Sequence, residues 1–404
     1  MKKPSLTMRI AIALALGILV GIGLQRYAFV ATDYIRPVGT VYLNLIKMIV
    51  VPVVTLSVIQ GVLSLQDVKK VGAVGGRTLG YFLCTTAIAV TLGLVIANVL
   101  QVGAGLELPT GELVYEAAQH PDPMQTLVNI FPDNIIAPFA QASMLQVIVV
   151  ALLFGFGILK AGEKGTVAAR AVESLGEVSF RVMGWILQLS PIGVFALICP
   201  VVAQQGAEVL LPLLQVVLVA YLGYLAHILL VYIPSVALFA RISPRKFLKE
   251  MRRSMLFAFG SASSVGSLPF NLTATERLEV PRSVSGFVLP LGATVNMDGT
   301  AIYQGVCVMF IARIFGVELD LVQQLTVVLT AVLASVGTAG VPGSGMIMLA
   351  MVLQSVGLPV EGIALVAGID RILDMGRTVV NVTGDAACCV CVHAWQKKKI
   401  PSAD

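Results

Sequence analysis

Charge is what this sequence has least of. Of its 404 residues, 27 are Lys or Arg and 22 are Asp or Glu, so charged side chains amount to 12 %, about half the share usual in soluble domains. Apolar residues make up 57 %, and the mean hydropathy is +0.91. A single core cannot bury so much apolar surface. We therefore expect an all-α polytopic membrane protein whose surface mostly faces lipid.

Histidine is scarce as well, and the cysteines are not paired. The three histidines, His120, His227 and His393, lie far apart, and the six cysteines sit in apolar stretches without metal-ligand spacing. No Ser/His/Asp or Cys/His constellation is visible, which argues against an enzyme, a zinc site and a disulfide framework. No interior basic segment carries aromatic residues, which argues against nucleic-acid binding. We interpret His227 as an interhelical hydrogen-bond partner, with a proton relay as the alternative.

Long uncharged runs predict the membrane spans, since a bilayer core takes about 20 apolar helical residues. The ordinary spans are predicted at 10–25, 48–66, 78–106, 134–159, 182–207 and 209–240. The first run could pass for a signal peptide. No clear cleavage site follows it and five further spans do, so we expect a retained helix.

The loops between these spans predict the orientation, because Lys and Arg collect on the cytoplasmic side. With a cytoplasmic N-terminus, basic clusters follow spans two, four and six: Lys69, Lys70 and Arg77; Lys160, Lys164 and Arg170; Arg241, Arg245, Lys246, Lys249, Arg252 and Arg253. The loop after span three carries Glu107, Glu112, Glu116 and Asp122 and no Lys or Arg. We expect a multi-pass protein of the cell membrane with both termini in the cytoplasm.

Two later uncharged segments are too interrupted for ordinary spans. Residues 254–275 are broken by Gly, Ser and Pro, and 321–360 contain Ser335-Val-Gly-Thr-Ala-Gly-Val-Pro-Gly-Ser-Gly345. Irregular backbone at membrane depth is tolerated only inside protein or beside a cavity. Both segments therefore predict hairpins that enter and leave by one side and meet at a central binding site.

The last span carries a charged stripe. Two full spans are predicted near 283–312 and 359–394, and in the second the residues Asp370, Asp374, Arg377, Asn381 and Asp385 fall within an arc of about 80° on a helical wheel. A salt-bridge ladder between helices is one interpretation. Intramembrane ionisable groups are costly and usually functional, so we favour a binding site.

The chemistry of the stripe suggests its ligands. The fork of Arg377 suits a carboxylate and Asp374 suits an ammonium, so the pair fits a zwitterion with a second carboxylate. Asp385 and Asp298, with carbonyls of an unwound helix, are hard oxygen ligands that suit a small cation, for which we expect sodium.

Three motifs resemble the dicarboxylate/amino acid:cation symporters, a family that includes archaeal and bacterial sodium-coupled aspartate transporters. They are Asn296-Met-Asp-Gly-Thr300, Gly337-Thr-Ala-Gly-Val-Pro-Gly343, and Asp374-Met-Gly-Arg-Thr378 followed by Asn381-Val-Thr-Gly-Asp385. The resemblance implies a homotrimer of eight transmembrane helices plus two oppositely oriented re-entrant hairpins, at about 246–281 and 321–358. It also implies an elevator mechanism, with scaffold at 1–75 and 107–207 and a transport domain at 76–106 and 208–404.

The resemblance also implies the site residues. For the substrate they are Arg377, Asp374, Asn381, Thr300, Thr378, Ser263, Ser264, Val341 and Gly345, with Asp370 orienting Arg377. It implies three sodium sites. The first consists of Asp385, Gly292, Asn296 and Asn381. The second consists of Thr294, Met297, Ser335, Val336 and Thr338, and the third of Phe82, Thr85, Thr86, Asn296 and Asp298.

Three departures from the family pattern qualify this assignment. Ala262 and Val265 interrupt the serine run of the first hairpin, which weakens the assignment of individual serines. Gln304 stands where proton-coupled eukaryotic members have glutamate, which favours sodium over proton coupling. Arg371 is expected to pair with a nearby carboxylate and tune affinity, or else to serve packing.

The sequence therefore predicts symport of L-aspartate with sodium, L-glutamate being the second candidate, without a cofactor and in contact with membrane lipid. The alternatives are proton-coupled symport, a carrier of neutral amino acids or dicarboxylates, an ion channel and a receptor without transport.

Overall fold

The computed structural model of the chain is mostly helical in the part it describes. It describes residues 6–71, 73–104, 128, 131–206, 210–335 and 344–397, and no strand occurs among them. The main helices, numbered in chain order, are α1 (Leu6–Gly23), α2 (Arg36–Val71), α3 (Ala73–Val99), α4 (Met144–Ala161), α5 (Thr166–Gln188), α6 (Ser190–Gln205), α7 (Leu210–His227), α8 (Pro244–Ser261), α9 (Ser264–Arg277), α10 (Arg282–Val295), α11 (Asp298–Ile314), α12 (Leu321–Ser335), α13 (Ser344–Ser355) and α14 (Asp370–Lys397). Short helical turns link several of them, and π-helical turns extend α7 to Ala240.

Four helical stretches within the described residues are long and apolar enough to cross a membrane. They run over Gln25–Leu63, Val74–Val99, Gln146–Gln188 and Leu210–Ala240. Shorter apolar helices lie at Met8–Gly23, Ser190–Gln204, Leu321–Ser335 and Ser344–Ser355. An all-helical chain with this composition is a multi-pass membrane protein, as predicted.

The predicted span at 182–207 is wrong at its start. Helix α5 begins at Thr166, so Arg170 lies in a helix rather than in a loop, and only Leu189 separates α5 from α6. The break has a local cause, because Pro191 takes one of the first positions of α6, where its missing N–H costs no hydrogen bond.

The predicted single span over 359–394 also needs correction. Residues Val360–Gly362 form a 3-10 turn and Ile363–Ala367 a short helix, and α14 begins only at Asp370. At the break, a Cβ on Gly368 would lie 2.8 Å from a methyl carbon of Leu14 on α1. The carboxylate of Asp370 in the first turn favours a helix start there, because helix N-termini carry partial positive charge.

The helices pack in two sets. In the first set, α1 packs on α6, and α2 packs on α4, α5 and α6. In the second set, α14 is surrounded by α7, α8, α9, α10 and α11, while α3 lies along α11 and α12. The sets meet where α2 contacts α3 and α13. The charged helix α14 thus lies at the centre of its set, away from the surface.

Two breaks bring backbone close to α14. Helices α8 and α9 are joined by Ala262 and Ser263, where Ala262 adopts a left-handed φ of 51° and the Ser263 hydroxyl accepts a hydrogen bond from Gly266 N at 3.0 Å. Helices α10 and α11 are separated by the non-helical residues Asn296 and Met297. Helices α12 and α13 pack on each other, and the predicted tip between them lies in 336–343, outside the described residues.

Candidate functional site

All five polar residues of the predicted stripe lie on α14 and are buried. Asp370, Asp374, Arg377, Asn381 and Asp385 are each at most 5 % exposed. Burying this many charged and polar groups is costly unless each has a partner. The partners of these side chains define the candidate site.

Arg377 is held on one side and open on the other. Its Nε donates to Asp374 Oδ1 at 2.8 Å and its Nη1 to Asp370 Oδ1 at 3.1 Å, while its Cζ lies 4.6 Å from the centre of the Tyr303 ring. Its Nη2 is buried and has no hydrogen-bond partner among the described residues. A buried donor of a charged group without a partner is strongly unfavourable, so this nitrogen is open to donate a hydrogen bond to an anionic group.

Gly345, in the first turn of α13, closes against the same guanidinium. A Cβ at this position would overlap Nη1 and lie 2.6 Å from Nη2 of Arg377. Backbone can approach the arginine this closely only where no side chain intervenes. The N-terminal end of α13 therefore lies directly over Arg377.

Asp374 is shared by two arginines. Its Oδ1 accepts from Arg377, and its Oδ2 lies 3.5 Å from Arg371 Nη1. Arg371 also reaches the backbone oxygen of Ser261, at the end of α8, at 3.5 Å. The prediction that Arg371 pairs with a nearby carboxylate agrees with this geometry, and it identifies that carboxylate as Asp374. The hydroxyl of Thr378 donates to the backbone oxygen of Asp374 at 2.7 Å, within its own helix.

Asn381 joins α14 to the break between α10 and α11. Its Oδ1 accepts from Gly299 N at 2.8 Å and its Nδ2 contacts Met297 Sδ at 3.4 Å. The Thr300 hydroxyl reaches the same sulfur at 3.9 Å. A Cβ on Gly299 would lie 2.6 Å from Arg377 Cα, so a glycine is required for the two helices to approach this closely.

A second polar cluster surrounds Asp385, one turn further along α14. Asn296 Nδ2 donates to Asp385 Oδ1 at 2.9 Å and to Asn381 O at 2.8 Å, and Gly292 O accepts from Asn296 N at 2.8 Å. Gly292 lies so close that a Cβ would be 2.5 Å from Asp385 Oδ1. Asn296 Oδ1 is buried without a partner among the described residues. A carboxylate, backbone carbonyls and an orphaned amide oxygen together form a donor set that suits a hard cation.

Asp298 is the centre of a third cluster. Thr86 Oγ1 donates to its Oδ1 at 2.6 Å, Tyr232 OH donates to its Oδ2 at 2.6 Å, and His227 Nε2 lies 3.1 Å from the same Oδ2. His227 is thus an interhelical hydrogen-bond partner, and its ring contacts that of Tyr232 edge to face. Thr85 donates to the backbone oxygen of Phe82 at 3.2 Å.

Other predicted site residues satisfy their hydroxyls locally or lie elsewhere. Thr294 donates to Leu291 O and Ser335 to Val332 O, each within its own helix. Ser263 caps α9, and Ser264 follows it as a buried residue. The predicted residues Val336, Thr338 and Val341 lie outside the described residues.

Sequence reasoning missed the aromatic partners of the site. Tyr303 stacks on Arg377, and Tyr232 donates to Asp298. Asn271 was missed too: its Nδ2 donates to Val382 O at 3.0 Å and so ties α9 to α14. One usable signal was polarity in an apolar context, since a buried Tyr, His or Asn in a span normally has a hydrogen-bond partner.

A cluster of three His, Cys, Asp or Glu side chains able to hold a metal does not occur in the described ranges. The two cation-type clusters instead combine one carboxylate each with hydroxyls, amides and backbone carbonyls. Such neutral oxygen donors suit a cation that must also be released.

Comparison with known proteins gives consistent matches over nearly the whole chain. The family model described as "Sodium:dicarboxylate symporter family" matches residues 6–395. The chain is 37 % identical over 404 residues to the "Proton/sodium-glutamate symport protein" of Geobacillus stearothermophilus, covering 98 % of this chain and 96 % of that one. It is 35 % identical over 412 residues to the "Proton/glutamate-aspartate symporter" of Escherichia coli (strain K12), covering 98 % and 94 %. It is also 35 % identical over 402 residues to the "Proton/sodium-glutamate symport protein" of Bacillus subtilis (strain 168), covering 98 % and 93 %.

Proposed function

Because the chain belongs to the sodium:dicarboxylate symporter family, we propose that it carries an acidic amino acid, L-aspartate or else L-glutamate, across the cell membrane together with sodium ions. Members of this family are transporters and not enzymes.

The guanidinium of Arg377, which has both paired and unpaired nitrogens, supports an acidic substrate. Asp374 and Asp370 hold its Nε and Nη1, and Nη2 remains buried without a partner among the described residues. The side-chain carboxylate of an acidic amino acid would complete this fork with a charge-assisted hydrogen bond. A neutral amino acid would leave Nη2 buried and unpaired, and this free-energy cost would disfavour its binding.

Asp374 is the proposed partner of the substrate's ammonium group. In the present arrangement Arg371 lies 3.5 Å from its Oδ2, a distance at which the contact is weak. An ammonium at that oxygen would displace a long contact and make a short one. A dicarboxylate without an amine would gain nothing there, and this favours amino acids over plain dicarboxylates.

Charge balance favours cation coupling. With all carboxylates ionised, Asp370 and Asp374 balance Arg371 and Arg377, and the neighbouring Asp298 and Asp385 leave two negative charges over. An acidic amino acid brings one more. Uncompensated charge in a buried site is strongly unfavourable, so the anion requires cations to enter with it.

We assign the cations to the two oxygen clusters. Asp385 with Asn296 and the carbonyls of Gly292 and Asn381 would hold one sodium ion, and Asp298 with Thr86 would belong to another. The orphaned Asn296 Oδ1 supports the first assignment. Gln304 on α11 is buried. Its amide cannot carry a coupled proton as a carboxylate could, which favours sodium over protons.

We further propose an elevator mechanism in a homotrimer. The set formed by α1, α2 and α4–α6 would be the scaffold, and the set around α14 would be the transport domain that moves past it. The two packing sets, which meet chiefly along α2, support this division. Closure of α13 over Arg377 would then control access to the substrate.

Uptake into reconstituted vesicles tests the coupling. An inward sodium gradient should concentrate labelled aspartate inside, and a protonophore should leave that uptake unchanged. The relatives whose names include protons make proton coupling the second candidate. Uptake that is indifferent to sodium and abolished by the protonophore would establish that candidate instead.

Counterflow distinguishes a carrier from an ion channel. Vesicles loaded with unlabelled aspartate should take up labelled aspartate faster than empty ones, because a carrier exchanges its substrate. Flux that neither saturates nor shows exchange would contradict the proposal.

A further inference from the structure

Helix α8 has two contrasting faces. Phe247, Met251, Ser254 and Ala258 are buried, with at most 1 % exposure, and α8 packs chiefly against α9, α14 and the π-helical end of α7. The opposite face carries Arg245, Lys249 and Arg252, which are all exposed. These three residues lie within about 60° of one another on the helical wheel.

The basic residues around α8 outnumber the acids that could pair with them. Residues 241–282 contain eight Lys or Arg and three Glu. Each glutamate is already paired: Glu279 with Lys246 at 2.9 Å, Glu250 with Arg277 at 3.6 Å, and Glu276 with Arg282 at 3.6 Å. The hydrogen bond from Lys246 also lowers the pKa of Glu279, so this carboxylate stays charged and engaged.

Five cations remain after this pairing. Arg241, Arg245, Lys249, Arg252 and Arg253 make no ion pair with any described residue, and all are exposed. Four of them lie in the first part of α8, and Arg241 lies three residues before the helix begins. Such a concentration of unpaired positive charge is typical of a surface that contacts anions.

The same stripe then changes from basic to apolar. Leu256 and Phe259 continue it towards the tip of the hairpin and are 66 % and 41 % exposed. Beside them, the rings of Phe257 and Phe270 stack at 4.4 Å, and both are also exposed. From Arg245 to Phe259 the helix rises about 21 Å. Along that length the protein surface changes from cationic to apolar. A membrane leaflet changes in the same order, from charged headgroups to acyl chains.

We propose that this stripe binds an anionic phospholipid, with the phosphate against Arg245, Lys249, Arg252 and Arg253 and an acyl chain along Leu256 and Phe259. The stripe can bind both parts of such a lipid: its cations bind the negatively charged headgroup, and its apolar end packs against the acyl chain. Basic clusters of four to eight residues beside membrane helices generally attract anionic lipids of the cytoplasmic leaflet.

The inference rests on the membrane orientation and the moving domain of the proposed function. Helix α8 belongs to the set proposed to move, so a lipid bound there would travel with it or dissociate. An anionic leaflet then favours the arrangement in which α8 lies at the headgroup level, because a ligand stabilises the state that binds it better.

Native mass spectrometry of the detergent-solubilised full chain tests the site without sodium or amino acid, and so independently of transport. The probes are phosphatidylglycerol and phosphatidylcholine with identical acyl chains. Wild type should bind the anionic lipid preferentially. The variant R245Q/K249Q/R252Q/R253Q should bind it at least about tenfold more weakly, and salt should weaken the wild-type binding by screening.

The matched control removes four exposed cations from the end of α4, the turn after it and α5, in K160Q/K164Q/R170Q/R181Q, and should bind like wild type. Equal binding of the two lipids, or an equal loss in the control, would overturn the proposal. Displacement by the same concentration of inorganic phosphate would also overturn it, because that marks a site for free anions. If the quadruple variant fails to fold, R245Q/K249Q and R252Q/R253Q each should show a partial loss, and wild-type binding in both would count against the site.

Discussion

Arg377 is the residue on which substrate selection depends in this proposal. Its planar fork presents two parallel N–H groups to a carboxylate, whereas a lysine at the same place would offer a point charge. Nη2 of Arg377 is buried and has no partner in the described part of the chain. A lysine would not place a donor at this position, so the two residues should bind the substrate carboxylate differently.

Arg377→Lys should therefore lower aspartate affinity by about 10- to 100-fold, the range expected for hydrogen bonds to charged groups. Serine, which has no side-chain carboxylate, should lose much less. The measurement is ligand-dependent thermal stabilisation in sodium, and Arg282→Lys, at an exposed arginine that pairs with Glu276, serves as the control. Equal losses for aspartate and serine would contradict the role given to Arg377.

Gly345 offers a test that leaves every charge in place. A Cβ there would overlap the Arg377 guanidinium, so Gly345→Ala must push either α13 or the arginine away. We expect aspartate affinity to fall by about tenfold or more.

Gly286→Ala on α10 is the matched control for this change. A Cβ at Gly286 meets nothing within 4 Å, so its affinity should equal that of wild type. If Gly345→Ala binds aspartate as well as Gly286→Ala does, then α13 does not lie over the substrate in the way proposed.

At the scale of elements, an ion pair links α2 to the 3-10 turn Val360–Gly362. Lys47 on α2 donates to Glu361, in the turn before α14, at 2.6 Å, and both side chains are partly exposed. The two residues belong to the proposed scaffold and transport domain respectively. The pair can therefore form only in arrangements that bring these elements together.

Lys47→Gln should shift the population away from the present arrangement by up to about fivefold, because such exposed pairs contribute up to about 1 kcal/mol. The swap K47E/E361K should restore the distribution. Fluorescence transfer between dyes at Leu175→Cys and Leu325→Cys, after replacement of exposed Cys84, reports the distance between the sets. Lys246→Gln removes the ion pair between α8 and Glu279 instead and should leave the distribution unchanged. An equal shift in this variant would argue for a general charge effect.

At the scale of the whole molecule, sodium and substrate should stabilise the fold together. If both bind the same closed arrangement, each raises the affinity of the other by the same factor. The folded state then gains from each ligand through mass action.

Aspartate should accordingly raise the melting temperature strongly in sodium chloride and weakly in potassium chloride. Asp385→Asn should reduce this sodium dependence, since it halves the charge of the proposed oxygen clusters. Stabilisation that is the same in both salts but follows pH would contradict sodium coupling and favour protons.

The sequence alone determined the class of protein and the family, and it predicted the residues of the site. Scarce charge and long apolar runs implied a helical membrane protein, and the three motifs implied the symporter family; both are confirmed. The stripe from Asp370 to Asp385 was also readable, because side-chain spacing along a helix is a local property of the backbone. Element boundaries were less accessible: α5 and α14 begin at residues that charge-free runs do not mark.

Only the tertiary structure decided which groups meet. Tyr303 against Arg377, Tyr232 and His227 on Asp298, and Gly345 over the guanidinium each join different helices. The physical reason is common to all of them: burial requires every polar group to find a partner, but which partner it finds depends on the packing of helices distant in sequence.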